Sequence, residues 1–307
     1  MGINYSIIIP HKNIPQLLNR CLASIPYRED IQIIVIDDNS DSSIITPKDF
    51  PGKERKNIEI YFSNASKGAG YARNIGLDHA KGKWIIFADA DDFFTDEFLP
   101  IIDQYLNSSY DVILFPVNTV ESDNINIKVN RDSWINQTLQ EKQLTAQEKL
   151  LKISTPHSKL IRHSCIKANH LYFEEVIYSN DVMFGTQLAI AAQSIHIDNN
   201  HSIYTLTFRS GSLTTIKGKE ALRCRLQVSI RSNLYLKKHN HPELMLQLNQ
   251  HFLQWAGNIS TKEVILTAWH LLKNGFLLYS SPHSWKYKYY NSGWYYVYKA
   301  LIKKRHK

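Results

Sequence analysis

Two short apolar runs in the first third of the chain each lead directly into a group of aspartates. The runs are residues 31–36 (IQIIVI) and 84–88 (WIIFA). The carboxylates that follow them are Asp37, Asp38, Asp41, Asp89, Asp91 and Asp92. Open parallel sheets bind their ligands beyond the carboxyl ends of the strands, where these side chains emerge. One group could be a helix cap, an alternative that stays open for Asp41, but two groups at one edge predict a binding site.

Alternating strand and helix patterns predict a parallel α/β sheet for the first part of the chain. The predicted strands are residues 5–10, 31–36, 58–62, 84–88, 111–117 and 203–208. The predicted helices begin at Pro15, span residues 70–80 with a stop at Gly82, and span residues 180–192. A loop or hairpin is expected over residues 118–136. From Gly218 the pattern is mostly helical, with Ser260 and Glu263 spaced as a capping box.

Charge and cysteine usage limit the class of protein. The net charge of +8 indicates an anionic partner, which could be nucleic acid, a nucleotide or a lipid surface. Three distant cysteines with no CxxC pair predict neither a zinc site nor a disulfide framework, as in a reducing cytoplasm. The first residues predict no signal peptide, and no apolar run is long enough to predict a membrane span.

Four segments in a fixed order carry a family resemblance. FADADD at residues 87–92 resembles the Asp-x-Asp motif of glycosyltransferases with the GT-A fold. SIIIPHKN at 6–13, IIVIDDNSD at 33–41 and KGAGYARNIGL at 67–77 are similar to family 2 of those enzymes. Any one segment alone would be weak, but four in order are specific. The resemblance implies an inverting enzyme with a Rossmann-like mixed sheet flanked by helices, followed by a mainly helical C-terminal extension.

The resemblance also implies roles for residues of the first half. Asp38 would accept a hydrogen bond from the base, commonly uracil, and Arg73 would contact the base or the diphosphate. Asp91 would bind the cation that bridges the phosphates, Asp89 would hold the ribose or a metal-bound water, and Asp92 would support them. The implied nucleotide-sugar-binding residues are Pro10, Lys12, Asp38, Arg73, Asp89, Ala90 and Asp91. Carboxylates at a water-accessible loop suit Mn²⁺ or Mg²⁺, with Asp91 and Asp89 as the protein ligands.

Two positions leave alternatives open. The family often has an aromatic residue that stacks on the base where this chain has Lys12, so dTDP and GDP sugars stay open beside the expected UDP sugar. Local sequence alone favours a surface salt bridge for Arg73, and only the surrounding motif favours a contact with the donor.

The acceptor half resembles the family in residues 154–175 and 178–184. A Glu-Asp pair usually begins a helix there, and here it reads Asn180-Asp181. The resemblance implies that Asp181 is the catalytic base; the local alternative is a carboxylate that only favours the helix N-terminus. Lys159, Arg209 and Ser212 would contact the acceptor or the diphosphate. The histidines, including His157, His163, His196 and His201, show no metal-binding spacing and are interpreted as ordinary surface or core residues.

These inferences define an expected organisation. A GT-A domain would span residues 1–217, with a nucleotide-sugar-binding half at 1–110 and an acceptor half at 111–217, and a helical, basic and aromatic region would span 218–307. Residues 284–307 could lie on an anionic membrane or form a helix docked on the core. The expected acceptor is a glycan or a polyprenyl-linked hydroxyl in surface polysaccharide synthesis, such as capsule or lipopolysaccharide. The expected location is the cytoplasm, and peripheral binding at the inner face of the plasma membrane stays open as an alternative.

Other functions remain as alternatives. A non-catalytic nucleotide-sugar-binding scaffold is conceivable because of Lys12 and Asn180, and a sugar nucleotidyltransferase is conceivable because related sheets make nucleotide sugars. Nucleic-acid binding is not expected, because no nucleic-acid motif accompanies the charge. The glycines at Gly68 and Gly70 do not form a dinucleotide fingerprint, since Arg73 occupies the third glycine position.

Overall fold

The structure is a computed structural model that describes residues 2–130, 133–209, 218–245, 248 and 260–273. The chain divides into two compact units, Met1–Ser212 and Leu213–Lys307. The first unit contains two sheets. Its strands are β1 Tyr5–His11, β2 Ile31–Asp38, β3 Ile58–Ser63, β4 Trp84–Phe87, β5 Phe93–Phe94, β6 Val112–Leu114, β7 Val117–Glu121, β8 Lys159–Arg162, β9 Ile195–Ile197 and β10 Tyr204–Phe208.

The larger sheet is mixed. Its strand order is β3-β2-β1-β4-β8-β6-β9, and the first four strands are parallel to one another. β8 is antiparallel to both of its neighbours, β4 and β6. The smaller sheet has the order β5-β10-β7. The mixed sheet confirms the predicted fold class, and β8 interrupts the parallel pattern between β4 and the parallel pair β6 and β9.

Helices flank the larger sheet. Those of the first unit are α1 Pro15–Ala23, α2 Ala69–His79, α3 Phe98–Gln104, α4 Ser133–Gln140, α5 Ala146–Lys152, α6 His163–Ala168 and α7 Asn180–Ala191. α1 follows the predicted apolar spacing and buries Leu18, Cys21 and Leu22, and α2 lies where a helix was predicted over residues 70–80. Close packing of α2 on the sheet requires Gly76, because a Cβ there would lie 2.3 Å from Ile8 Cγ2.

The prediction of one strand over residues 111–117 was wrong. The structure has two strands, β6 and β7, separated by Phe115 and Pro116 and placed in different sheets. Proline lacks the N–H that would continue the ladder, so the chain leaves the larger sheet at Pro116. Residues 118–136 were expected to form a loop or hairpin. In the structure this segment contains most of β7 at its start and the first turn of α4 at its end.

Strand register brings the predicted site residues to one edge. Ile8 on β1 pairs with Ile34 on β2 and with Phe87 on β4. Asp38 and Asp89 both follow this row in the same direction, so both emerge at the carboxyl edge of the parallel strands. β1 lies between their strands, and two strand spacings amount to about 10 Å.

The described part of the second unit consists of helix α8 (Lys219–Lys238), a short 3₁₀ turn at Pro242–Leu244 and helix α9 (Thr261–Lys273). Its core contains Leu222, Leu226, Leu248 and Leu271. Ser260 and Glu263 form the predicted capping box, with Ser260 N donating to Glu263 Oε2 at 3.2 Å and Glu263 N donating to Ser260 Oγ at 3.4 Å. Within the ranges that the structure describes, no helix is long and apolar enough to cross a membrane.

Candidate active site

The loop between β4 and β5, residues 88–92, carries three aspartates and is called the aspartate loop here. Residues of other elements bind its backbone. Asp89 N donates to the Tyr204 hydroxyl at 2.8 Å. The carbonyl oxygen of Asp91 accepts from Thr207 Oγ1 at 2.7 Å and from Arg20 Nη2 at 2.5 Å. Tyr204 and Thr207 belong to β10, so the smaller sheet supports this loop. Hydrogen bonds to main-chain atoms leave the side chains of Asp89 and Asp91 available for a ligand.

Asp92 is the last residue of the loop, and its side chain is buried. Its carboxylate accepts from Thr207 N at 2.7 Å and from the Tyr204 hydroxyl at 3.1 Å. Burial and the neighbouring charges of Asp91 and Asp89 raise the pKa of Asp92. Both oxygens therefore serve the attachment of the loop to β10.

Asp89 and Asp91 each bind one cationic side chain and remain partly exposed. Asp89 Oδ1 accepts from Arg73 Nη2 at 2.5 Å, and Asp91 Oδ2 pairs with Arg209 Nε at 3.2 Å. The side chains are 35% and 24% exposed. Burial acts to raise the pKa of Asp89, but Arg73 outweighs it and holds that pKa below its usual value. The pKa of Asp91 is raised by burial and by the charge of Asp89.

The two carboxylates fit a divalent cation that is completed by phosphate. Their second oxygens, Asp89 Oδ2 and Asp91 Oδ1, make no hydrogen bond to another described residue. The charge of Asp89 raises the pKa of Asp91, and a cation bound beside both carboxylates would offset this repulsion. The described residues hold no group of three or more metal-ligating side chains, so an ion here would take its remaining ligands from water or a diphosphate.

Arg73 connects this loop to the start of α7. Its side chain donates from Nη2 to Asp89 and from Nη1 to Asn180 Oδ1 at 2.9 Å. The guanidinium also lies 5.3 Å from the ring centre of Phe173. Arg73 is only 5% exposed, which excludes the alternative of a surface salt bridge, and its predicted contact with the base or the diphosphate stays a prediction. The Asn180 amide keeps the acceptor atom that a glutamate would offer to Arg73.

Asp181 lies in the first turn of α7, next to Asn180, and its pKa is raised by burial. Lys159 on β8 is buried and donates to the carbonyl oxygens of Thr155 and His157. Burial lowers the pKa of Lys159 to about 7, although the charge of Asp181 acts in the opposite direction. An aspartate that is not fully stabilised as a carboxylate suits a general base.

His157 was interpreted as an ordinary surface or core residue, and the structure buries it next to a residue that supports the aspartate loop. Its ring stacks on Tyr204 with centroids 5.5 Å apart, and Nδ1 is buried without a hydrogen-bond partner. Burial lowers the pKa of His157 to about 3, against the opposing charge of Asp89. Tyr204, Thr207 and Arg20 were also missed. No local motif marks them, because they act on residues far away in sequence.

The residues predicted to lie near the nucleobase are found at the ends of β1 and β2, close to the segment after β3. Asp38 accepts from the backbone N–H groups of Lys67 at 3.1 Å and Gly68 at 2.7 Å, and the positive φ of 92° at Gly68 suits glycine. Its predicted contact with a base stays a prediction. Lys12 is exposed and donates from Nζ to Ser66 Oγ at 3.1 Å.

The remaining predicted residues are placed as follows. Pro10 is half-buried at the end of β1, and Ala90 is buried between Asp89 and Asp91. Asp41 accepts from Ser43 N at 2.8 Å and so stabilises a turn, not a helix. Arg209 contacts Asp91, whereas Ser212 and residues 284–307 lie outside the described residues.

Comparison with known proteins decides the family. The family model described as "Glycosyl transferase family 2" matches residues 6–169, from β1 to the end of α6. The chain belongs to glycosyl transferase family 2. The match includes the donor-side motifs, whereas Asn180, Asp181 and Arg209 lie beyond it.

Similar proteins in this family come from several bacteria. The poly(ribitol-phosphate) beta-N-acetylglucosaminyltransferase TarS of Staphylococcus aureus is 24% identical over 216 residues, which are 68% of this chain and 36% of TarS. The chain thus spans about a third of the length of that relative. A GalNAc(5)-diNAcBac-PP-undecaprenol beta-1,3-glucosyltransferase of Campylobacter jejuni is 25% identical over 225 residues, covering 72% of this chain and 70% of the relative.

A solved structure matches the fold. S. aureus TarS residues 1–349 in complex with UDP-GlcNAc superimposes with a TM-score of 0.60 at 19% identity, covering 97% of this chain and 80% of TarS 1–349. This likeness confirms the GT-A fold that was predicted for this chain.

Proposed function

We propose that this chain is a metal-dependent inverting glycosyltransferase that moves a sugar from a nucleotide diphosphate, foremost a UDP sugar, to an acceptor hydroxyl. Family 2 membership supports transfer over nucleotidyl transfer. The similar TarS structure holds UDP-GlcNAc, which supports a UDP sugar as donor. TarS acts on poly(ribitol-phosphate) and the C. jejuni relative on an undecaprenol-linked glycan. We therefore propose a glycan or lipid-linked acceptor in bacterial cell-wall or surface polysaccharide synthesis.

One observation carries the proposal. Arg73 donates hydrogen bonds to Asp89 of the aspartate loop and to Asn180, which directly precedes the predicted catalytic base Asp181. One buried side chain thus joins a predicted nucleotide-binding residue to the residue before the predicted catalytic base. Transfer needs this proximity, because the acceptor hydroxyl must attack while the diphosphate is held.

The residues have distinct roles in the proposed reaction. Asp91 and Asp89 would hold Mn²⁺ or Mg²⁺, which when bound neutralises charge on the departing diphosphate. Arg73 and Arg209 add positive charge beside those carboxylates. Asp181 removes the proton from the acceptor hydroxyl as its oxygen bonds to the anomeric carbon, and the bond from that carbon to the diphosphate oxygen breaks. Attack from the face opposite the leaving group inverts the anomeric configuration.

The test is a nucleotide-release assay with UDP, dTDP and GDP sugars, Mn²⁺, and membranes or polysaccharide as acceptor. We expect turnover with at least one donor. Asp181→Asn should abolish turnover and keep nucleotide binding, whereas the exposed Asp78→Asn should behave like the unaltered protein. Donor binding without nucleotide release under any of these conditions would contradict the proposal and favour the non-catalytic scaffold.

A further inference from the structure

Arg20 lies in α1, outside every motif of the resemblance, yet its guanidinium reaches three separate parts of the first unit. Nη2 donates to the carbonyl oxygen of Asp91 at 2.5 Å, and Nη1 donates to the carbonyl oxygen of Ser122 at 2.8 Å. Longer bonds at 3.4 Å reach Ser122 Oγ and Thr207 Oγ1. The side chain therefore joins the aspartate loop to the residue after β7 and to β10.

The end of α1 also holds the far side of the same loop. Ser24 is the C-cap residue of α1, and its hydroxyl accepts from Phe94 N at 3.0 Å. The Arg20 guanidinium lies 5.5 Å from the ring centre of Phe93. α1 thus contacts the loop at Asp91 and again at its exit into β5.

We propose that Arg20 is a positioning residue for Asp91. The carbonyl oxygen that Arg20 binds belongs to Asp91 itself, so fixing that peptide fixes the direction in which the Asp91 side chain leaves the backbone. Guanidinium suits this task because its planar fork donates to Asp91 and Ser122 together, which an ammonium group cannot do with the same geometry. Arg20 acts through the main chain, because its bond to Asp91 goes to the carbonyl oxygen.

The inference rests on the proposed function for the identity of the ligand. The mobility of the aspartate loop, however, can be measured in the ligand-free protein. Arg20→Met keeps an unbranched side chain and removes every donor. Arg55 supplies a matched control, because its guanidinium also binds main-chain carbonyls of the α1 end, those of Leu22 and Ile25, and does not contact the aspartate loop. Arg55→Met therefore reproduces the loss of a guanidinium anchor without freeing Asp91.

The first measurement is hydrogen–deuterium exchange of the ligand-free protein over residues 88–94. The amides of Asp89, Asp92 and Phe94 are hydrogen-bonded in this loop. We expect exchange there to be about tenfold faster in Arg20→Met and unchanged in Arg55→Met. Equal exchange in Arg20→Met and the unaltered protein would overturn the inference, whether or not the chain is a transferase.

The second measurement is calorimetric titration of UDP in Mn²⁺. Arg20→Met should weaken binding about tenfold and Arg55→Met should not, because only Arg20 orients a predicted metal ligand. Unaltered affinity in Arg20→Met would overturn the inference, whereas no UDP binding by the unaltered protein would count against the proposed function instead. If Arg20→Met does not fold, Arg20→Lys keeps the positive charge but loses the planar fork, and we expect faster exchange over residues 88–94 from it as well, whereas exchange equal to that of the unaltered protein would overturn the inference.

Discussion

Arg73 holds Asp89 at 2.5 Å and Asn180 at 2.9 Å, although Asn180 lies 107 residues further along the chain. Asn180 occupies the place where the family usually has a glutamate. The amide oxygen preserves the hydrogen bond to Arg73 and omits the negative charge. The electrostatic environment of Asp181 therefore differs from that expected of a Glu-Asp pair.

Restoring a charge at this position should move the pH dependence of transfer. In Asn180→Asp a new carboxylate beside Asp181 disfavours the charged base, so the pKa of Asp181 rises further. Because Asp181 must be ionised to accept a proton, we expect the acidic limb of the pH–rate profile to move up by about one unit. Asn180→Ala adds no charge and should leave the limb in place. A limb that does not move in Asn180→Asp would argue against Asp181 as the base.

Gly70 tests the close approach of α2 to the segment before α7. A Cβ at this position would lie 2.4 Å from the carbonyl oxygen of Glu174 and 2.8 Å from Asn180 Cβ. We expect Gly70→Ala to displace Asn180 from Arg73, lower the melting temperature by several degrees and reduce transfer at least tenfold. Gly2→Ala meets nothing within 4 Å and is the control. Unchanged transfer in Gly70→Ala would show that the two elements need not be this close.

Tyr204 supports the aspartate loop through one hydroxyl, which accepts from Asp89 N and donates to Asp92. Tyr204→Phe leaves both groups without this partner, so we expect a loss of about 2 kcal/mol in the free energy of unfolding together with weaker Mn²⁺–UDP binding. Tyr105→Phe removes a comparable bond, to Asp198, away from the loop. Calorimetry and denaturant unfolding should show lower stability in both variants and weaker binding in Tyr204→Phe alone. Equal binding in the two variants would contradict the role of the hydroxyl.

His157 should make the folded protein sensitive to acid. In the unfolded chain the pKa of His157 is about 6.5, whereas burial lowers its pKa in the folded protein to about 3. Stability therefore falls as the pH falls from 6.5 to 3, with a slope of up to about 1.4 kcal/mol per pH unit. His157→Gln should flatten this dependence in denaturant unfolding, and the exposed His79→Gln should not. An unchanged slope in His157→Gln would mean that other groups dominate the acid response.

The sequence predicted the parts of the fold that depend on local pattern. β1, β2 and β4 are apolar runs buried on both sides of the sheet, so their positions followed from composition alone. The strand over 111–117 was wrong because its apolar run continues through Pro116 without a change of pattern. The carboxylates at the strand ends were recognisable because the edge of a parallel sheet is a general binding position.

The supports of the site could not be predicted in the same way. Tyr204 and Asp92 are 112 residues apart, and Arg20 and Asp91 are 71 apart. Such pairs depend on how two sheets and a helix pack together, which no local spacing encodes. His157 has no metal-binding spacing and became part of the site only through its stacking on Tyr204.

We propose that Asp91 and Asp89 hold a divalent cation against the diphosphate of the donor. Anomalous diffraction from crystals grown with Mn²⁺ and UDP measures this directly. We expect one manganese peak at a coordination distance of about 2 Å from a carboxylate oxygen of Asp91, in contact with the diphosphate. UDP bound at this edge of the sheet with no manganese between it and Asp91 would show that these carboxylates do not hold the cation.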